Sequence, residues 1–175
     1  MAVEDIWVFA YGSLIWDPGF APLEAEPGLL FGYHRALCVY SCFNWGTHER
    51  PGLVVGLLPG GSCRGRAFRV ASTRAQGVLD YLDGREGGAY RRKRVAVALA
   101  GRVVAAHTFV VDRDHPRYAG RLAPDDCVGF IRQGVGTSGS SREYLENTVR
   151  HLDALGISDG RLHALLELVE RESGA

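Results

Sequence analysis

One acidic residue inside a glycine-rich segment is the first candidate for chemistry. Glu86 lies in residues 83–90, which contain three glycines and are predicted to follow the end of a helix. The negative end of the helix dipole and partial burial both raise the pKa of a carboxyl group in that position. A raised pKa suits a general base. The alternative is a surface carboxylate that pairs with Arg85 and Arg91.

The turn after the first predicted strand is a second candidate. Residues 6–11 are apolar and are followed directly by Gly12 and Ser13. A glycine-containing turn at a strand end can present backbone N–H groups to an anion or to a developing oxyanion. Ser13 lacks both the GxSxG pattern and an identifiable His–Asp pair. We therefore expect the backbone of this turn, and not the hydroxyl group of Ser13, to carry its function.

A charged residue interrupts the apolar face of the long strand predicted over residues 29–43. The odd positions of this strand are apolar except for Arg35 and Ser41. An unpaired charge on such a face is costly, so the guanidinium of Arg35 needs a carboxylate, a phosphate or water. A ligand carboxylate is one interpretation. An arginine at a strand end that reaches water is the other, because a bulge at Gly32 would change the face.

The sequence gives little support for nucleotide or metal sites. Residues 134–139 match GxGxxG, but a helix precedes them where the dinucleotide fingerprint requires a strand, so we expect a connector between helices. The six histidines show no metal-ligand spacing, and we expect no metal. We also expect four reduced thiols, because no CxxC pair occurs among Cys38, Cys42, Cys63 and Cys127.

Strands that position these residues are predicted mainly in the first two thirds of the chain. Apolar and polar residues that alternate, with turn residues between the runs, predict six strands: 6–11, 29–43, 53–58, 65–70, 92–99 and 103–111. Ala100 and Gly101 form a tight turn between the last two.

Helices fill the last third of the chain, and one helix lies among the strands. Thr73 with Gln76 predicts a capping box for that helix, which ends near Gly84. Later helices are predicted after Pro124, after Ser140 and near residue 158. This order predicts an α+β fold, a sheet or barrel flanked by helices with a helical C-terminal part, in a single domain over residues 1–175.

Composition excludes several classes of protein. The 175 residues are 46% hydrophobic and 23% charged, which is typical of a globular domain that needs no disulfide or structural metal. Twenty basic residues balance twenty acidic ones, which disfavours nucleic acid and anionic membranes as partners. We expect a cytoplasmic protein, because the chain shows neither a membrane-spanning segment nor a secretory signal.

Five motifs resemble those of the ChaC-like γ-glutamylcyclotransferases, which act on glutathione. They occur in order over most of the chain, in residues 8–16, 32–35, 49–52, 85–90 and 118–120. The chain departs from the family pattern at Ala10 and Ala89, where glycine is common, and at His48, where proline is frequent. These departures do not affect Glu86 or residues 11–14. They leave open which γ-glutamyl compounds are substrates.

The resemblance implies a small mixed β-barrel of the γ-glutamylcyclotransferase type with flanking helices. It also implies a carbon–nitrogen lyase that needs no cofactor. In this reaction the α-amine of glutathione attacks its own γ-carbonyl group to give 5-oxoproline and Cys-Gly, with Glu86 as the catalytic general acid/base. The substrate-binding residues implied are Ala10, Tyr11, Gly12, Ser13, Leu14, Arg35 and Tyr118.

Three alternatives remain open at this point. The first is a cyclotransferase that acts on another γ-glutamyl compound. The second is a non-catalytic domain on the same fold that binds a small molecule. The third is a protein-interaction module, whose aromatic loop with Trp16 and Phe20 forms an exposed patch. The sequence carries no signal for an oligomeric state.

Overall fold

A computed structural model describes residues 3–174 of the chain. In this part of the chain, two short 3₁₀ helices, Ser13–Ile15 and Ser72–Arg74, accompany the longer elements. The longer elements are β1 (Ile6–Ala10), β2 (Glu24–Ser41), β3 (Gly52–Val70), α1 (Ala75–Glu86), β4 (Tyr90–Leu99), β5 (Arg102–Val111), α2 (Pro124–Gln133), α3 (Ser141–Ala154) and α4 (Gly160–Ser173).

The strands form a closed barrel in the order β1-β3-β2-β4-β5. β1 is antiparallel to β3 and parallel to β5, whereas β4 is antiparallel to both β2 and β5. The barrel closes where β1 pairs with β5, at Trp7 with Ala106 and at Val8 with His107. The predicted α+β fold, a mixed barrel with a helical C-terminal part, is confirmed.

The prediction of six strands is wrong by one, because residues 53–58 and 65–70 belong to the single strand β3. Gly60 and Gly61 lie between them with φ angles of 105° and 72°. Glycine adopts such angles without steric cost, so the chain can bend here while it remains in the sheet. The predicted turn at Gly101 is confirmed, since it joins β4 to β5 with a φ of 73°.

The buried face of β2 changes at Gly32. Before this glycine Leu30 is buried and Phe31 is 67% exposed, whereas after it Arg35 and Leu37 are buried. Gly32 has a φ of 87°, outside the range of regular strand residues. The expected apolar face of odd positions therefore holds only after Gly32, because the irregular residue inverts the alternation.

Helix α1 differs from its prediction at both ends. The capping box of Thr73 and Gln76 is wrong: Arg74 occupies the N-cap position after a 3₁₀ turn, and no side chain caps the helix. At the other end α1 continues past Gly84 to Glu86. A helix tolerates one glycine when the neighbouring residues pack well.

The C-terminal helices follow their predictions. Pro124 is the first residue of α2, where its missing N–H has no cost. Ser140 caps α3, because its side chain accepts a hydrogen bond from the Glu143 N–H at 3.0 Å. Asp159 caps α4 in the same way, with the Leu162 N–H at 3.2 Å.

The GxGxxG motif is a connector between α2 and α3, as predicted. A Cβ on Gly134 would lie 2.5 Å from the carbonyl oxygen of Trp45, and one on Gly136 would lie 2.3 Å from that of Phe43. The two glycines thus allow close packing of backbone on backbone. The prediction of free thiols is also confirmed, since all four cysteines are unbridged.

The chain packs into two compact units. The first unit comprises the residues up to Arg35 and Leu57–Asp112, and the second comprises Ala36–Gly56 and the residues from Arg113 onward. A single domain over residues 1–175 stays a prediction. The largest buried side chains of the first unit include Val8, Phe9, Leu30, Leu57 and Leu82, and those of the second include Leu53, Ile131, Leu145, Leu152 and Leu162.

Within residues 3–174, no helix is both long enough and apolar enough to cross a membrane.

Candidate active site

The turn after β1 presents backbone N–H groups at the start of a short helix. The N–H of Ile15 donates to the carbonyl oxygen of Gly12 at 2.9 Å, and the N–H of Asp17 donates to that of Ser13 at 2.9 Å. The N–H groups of Ser13 and Leu14 precede these bonds and have no acceptor inside the helix. Such groups can bind a carboxylate or a polarised carbonyl oxygen.

The tyrosine of this turn points into the first unit. Tyr11 is buried, and its hydroxyl group donates to the carbonyl oxygen of Phe109 at 2.7 Å. Ala10 before it is fully buried as well. The side chains of both residues therefore fix the end of β1, and their roles in substrate binding stay predictions.

Arg35 is buried on β2 with 5% of its surface exposed, so the interpretation in which it reaches water is wrong. Its Nε donates to the carbonyl oxygen of Tyr11 at 2.6 Å, and its Nη2 donates to that of Arg64 at 2.6 Å. Two strands are thereby tied together at the end where the turn begins. The part of Arg35 in substrate binding stays a prediction.

Gly65 brings β3 close to this same end of β1. A Cβ at Gly65 would lie only 2.2 Å from the carbonyl oxygen of Ala10 and 2.8 Å from the ring of Phe9. Sequence reasoning gave this residue no role. The available signal was a glycine inside a predicted strand, which often marks a close approach of backbone.

Glu86 is the last residue of α1. The prediction that it lies in the loop after the helix is therefore wrong. The next residue, Gly87, has φ 65° and ψ −167°, and its N–H donates to the carbonyl oxygen of Asp83 at 3.3 Å. Those angles are open almost only to glycine. Gly87 therefore ends the helix abruptly and fixes the place of Glu86 in its last turn.

Glu86 is half-buried in the last turn of α1. Burial raises the pKa of this carboxyl from its ordinary value of 4.5 to about 7, and the neighbouring Arg85 charge opposes that rise. The expected direction of the shift is confirmed, with burial as the main cause. A group with a pKa near 7 can accept and return a proton at neutral pH.

The alternative of a surface carboxylate paired with Arg85 and Arg91 is not the arrangement found. Arg91 forms an ion pair with Asp112, with 2.9 Å between Nη2 and Oδ2. Arg85 directs its guanidinium group to oxygen atoms of other residues.

Arg85 connects α1 to the turn after β1. Its Nη1 donates to the carbonyl oxygen of Asp17 at 2.6 Å and to the hydroxyl oxygen of Tyr81 at 3.2 Å. Its Nη2 donates to the Oγ of Ser13 at 3.3 Å. The turn at Ser13 is thus held against the helix turn that carries Glu86.

Tyr118 lies in the second unit. It is half-buried and pairs with Val39 as an isolated bridge, and the N–H of the following Ala119 donates to the carbonyl oxygen of Cys38 at 2.8 Å. Its predicted role as a substrate contact stays a prediction.

The first unit therefore combines two chemical functions. The Glu86 carboxyl can transfer a proton, and the turn at Ser13 and Leu14 can hold an anionic or polarised oxygen. Among residues 3–174 the structure contains no group of three or more His, Cys, Asp and Glu side chains that could hold a metal ion.

Comparisons with known proteins give a consistent picture. Residues 6–172 match the model of a family described as ChaC-like protein. The glutathione-specific gamma-glutamylcyclotransferase of Escherichia coli K12 is 32% identical, over 95% of this chain and 73% of its own length. Glutathione-specific gamma-glutamylcyclotransferase 1 of Homo sapiens is 31% identical, over 95% of this chain and 79% of its own length.

A solved structure has the same fold over nearly the whole chain. The crystal structure of a glutathione-specific gamma-glutamylcyclotransferase from yeast superposes with a TM-score of 0.90 and 25% identity. The match covers 96% of both chains.

Proposed function

The chain belongs to the ChaC-like family, and from this we propose that it is a glutathione-specific γ-glutamylcyclotransferase. It converts glutathione into 5-oxoproline and Cys-Gly, and it is thus a carbon–nitrogen lyase of glutathione breakdown. The relatives from Escherichia coli and Homo sapiens carry the name of this activity. The structural observation that supports it best is the half-buried Glu86 in the last turn of α1, whose neighbour Arg85 donates hydrogen bonds to Ser13 and Asp17 in the turn after β1.

The reaction is an internal displacement within one bound substrate. The nitrogen of the α-amine attacks the γ-carbonyl carbon and forms the ring bond of 5-oxoproline. The amide bond to the cysteine nitrogen breaks in the same overall exchange, and no water is consumed. Because the two reacting groups belong to one molecule, holding the folded-back conformation removes much of the entropic barrier.

Glu86 is proposed to move the proton that this exchange requires. The α-amine is an ammonium group at neutral pH, so it must lose a proton before its lone pair can attack. The ionised carboxylate of Glu86 accepts this proton and then passes it to the departing nitrogen of Cys-Gly. The second proton, which the ring nitrogen loses when it becomes an amide, is balanced by protonation of the free amine of Cys-Gly to an ammonium group. A carboxyl group with a pKa near 7 suits both directions of transfer, because neither form is strongly disfavoured.

The turn at residues 11–14 is proposed to bind the γ-glutamyl part of the substrate. The N–H groups of Ser13 and Leu14 can hold either the α-carboxylate or the γ-carbonyl oxygen, on which negative charge develops during attack. Ala10, Arg35 and Tyr118 are proposed as further contacts. The four unbridged cysteines fit a cytoplasmic location, where glutathione keeps thiols reduced.

Product analysis by mass spectrometry tests the reaction and the role of Glu86 together. Wild type incubated with glutathione is expected to form 5-oxoproline and Cys-Gly in equal amounts. Glu86→Gln is expected to lose about 10²- to 10⁴-fold in rate, which is the range of general acid–base contributions. Asp80→Asn is the matched control, because Asp80 is an exposed acid on the same helix.

Two substrate variants make this test sharper. Glutathione acetylated on its α-amine has no attacking nitrogen, and no turnover is expected from it. Other γ-glutamyl dipeptides measure the selectivity for the Cys-Gly portion. Release of free glutamate in place of 5-oxoproline would mean that water is the nucleophile and would reject the proposed mechanism.

A further inference from the structure

Arg85 has no role in the proposed reaction, yet its side chain connects two parts of the proposed site. It lies directly before Glu86 on the last turn of α1, yet its guanidinium group points to the segment after β1. Its three acceptors belong to Ser13, Asp17 and Tyr81. Two of these acceptors lie in the segment 12–17, so one side chain joins the helix turn of the proposed acid/base to the proposed substrate turn.

Arg85 holds the segment after β1 through hydrogen bonds, and its ion pair with Asp17 is the weaker contact. The shortest bond runs to a backbone oxygen, that of Asp17, at 2.6 Å, whereas the carboxylate of Asp17 lies 4.0 Å away and is largely exposed. An exposed pair at that distance contributes little to stability. The planar guanidinium of arginine can donate to several acceptors at once, which the ammonium of lysine cannot do in the same geometry.

A second contact between the loop after β1 and helix α1 supports the clamp. Gly19 has a φ of 76°, and a Cβ on it would lie only 2.2 Å from the hydroxyl oxygen of Tyr81. Tyr81 and Arg85 are four residues apart on α1, so both side chains lie on one face of the helix. The loop after β1 thus packs directly on the helix face from which Arg85 reaches Ser13 and Asp17.

We infer that Arg85 is a positioning residue that clamps segment 12–17 to the last turn of α1, and so sets the distance between Glu86 and the N–H groups of Ser13 and Leu14. As a role in catalysis this inference rests on the proposed function. It assigns no contact between Arg85 and the substrate, because the guanidinium is already directed to three oxygen atoms.

The test compares Arg85→Met and Arg85→Lys with wild type. Methionine keeps an apolar stem and removes every donor, whereas lysine keeps the charge but lacks the planar fork that reaches all three acceptors. Arg92→Met is the matched control, since Arg92 meets Asp83 of the same helix at 3.5 Å. Melting by circular dichroism establishes that each variant is folded at the assay temperature.

The first measurement is amide hydrogen exchange in segment 12–17. Arg85→Met is expected to exchange there about tenfold faster, because hydrogen bonds from a charged donor are lost locally. Arg85→Lys is expected to lie between Arg85→Met and wild type, and Arg92→Met to match wild type. Unchanged exchange in folded Arg85→Met would overturn the clamp, whatever the catalytic activity proves to be.

The second measurement determines kcat and KM for glutathione separately in each variant. A misplaced acid/base lowers kcat, and misplacement on the order of 1 Å can cost about 10²-fold. Arg85→Met is therefore expected to lose kcat by about this factor with a smaller rise in KM, and Arg85→Lys to recover part of it. A rise in KM alone would overturn the positioning role, because it would indicate a binding contact.

The two measurements separate a failure of the clamp from a failure of the proposed function. If wild type forms no 5-oxoproline from any γ-glutamyl compound, the proposed function fails, and hydrogen exchange still decides whether Arg85 holds segment 12–17. If wild type is active and Glu86→Gln is not, but Arg85→Met keeps the wild-type kcat, only the positioning role is overturned.

Discussion

The Nε of Arg35 lies 2.6 Å from the carbonyl oxygen of Tyr11, so a buried cation on β2 holds the backbone at the end of β1. A second bond of 2.6 Å runs from its Nη2 to the carbonyl oxygen of Arg64 on β3. Backbone carbonyl groups are weaker counterparts than carboxylates, but two short bonds to a charged donor offset part of its desolvation. The turn of the proposed site therefore depends on a buried polar contact.

Arg35→Met is expected to destabilise the protein by about 3 kcal/mol, because hydrogen bonds from a charged donor contribute about 1.5–3 kcal/mol each and the buried carbonyl group of Tyr11 loses its partner. Urea unfolding gives the free energy of unfolding. Arg94→Met on β4, where the arginine is exposed, is the control and should change stability by less than about 0.5 kcal/mol. Equal unfolding midpoints for both variants would refute the structural role of Arg35.

Two glycines near Glu86 are expected to respond in opposite directions to alanine. Gly87 has φ 65° and ψ −167°, so Gly87→Ala should destabilise the protein by about 1–3 kcal/mol and displace Glu86. Gly84 lies inside α1 with open space around its Cβ position, so Gly84→Ala should stabilise by about 0.5–1 kcal/mol. Thermal unfolding of both variants measures this. A stable, fully active Gly87→Ala protein would contradict the assigned backbone role.

The sequence predicts most strands and helices well where the signals are local. Ser140 and Pro124 mark helix starts by their own chemistry, and Glu86 stands out because it lies among glycines. Local patterns fail where a glycine changes the course of a strand. The exposed Phe31 before Gly32 and the continuous strand through Gly60 both depend on a φ angle that the residue type permits but does not dictate.

The contacts of the site were harder to predict because they join distant parts of the chain. Arg85 was considered only as a partner for Glu86, although 72 residues separate it from its acceptor Ser13. The sequence predicts a carboxylate, a phosphate or water as the partner of Arg35, and the structure shows hydrogen bonds from it to two backbone carbonyl groups. A sequence shows that a buried charge needs partners, but packing decides which oxygen atoms come within reach.

Glu86→Gln should stabilise the protein increasingly as the pH rises. The folded-state pKa of about 7 lies above the ordinary value of 4.5, so between these values the unfolded chain has lost a proton that the folded protein keeps. The wild type therefore loses stability over this window, by about 1.4 kcal/mol for each pH unit, and glutamine does not.

The stability difference between the two proteins should grow by about 3 kcal/mol from about pH 4 to about pH 8. Urea unfolding at several pH values measures this, with Asp80→Asn as the exposed carboxylate control. A constant difference across the range would mean that the Glu86 carboxyl is not shielded from water.

The pH dependence of kcat/KM for glutathione should show an acidic limb near pH 7, because the base must be ionised and this parameter reports the free enzyme. The α-amine of the substrate also titrates, so the wild-type profile alone does not identify Glu86. The Arg85 charge lowers the pKa of Glu86, and its removal in Arg85→Met should move the limb to higher pH. The substrate is the same in both assays, so a shift of the acidic limb between wild type and Arg85→Met reports a change in the pKa of an enzyme group. A limb below about pH 5 in wild type, near the ordinary pKa of glutamate, would exclude Glu86 with its raised pKa as the base.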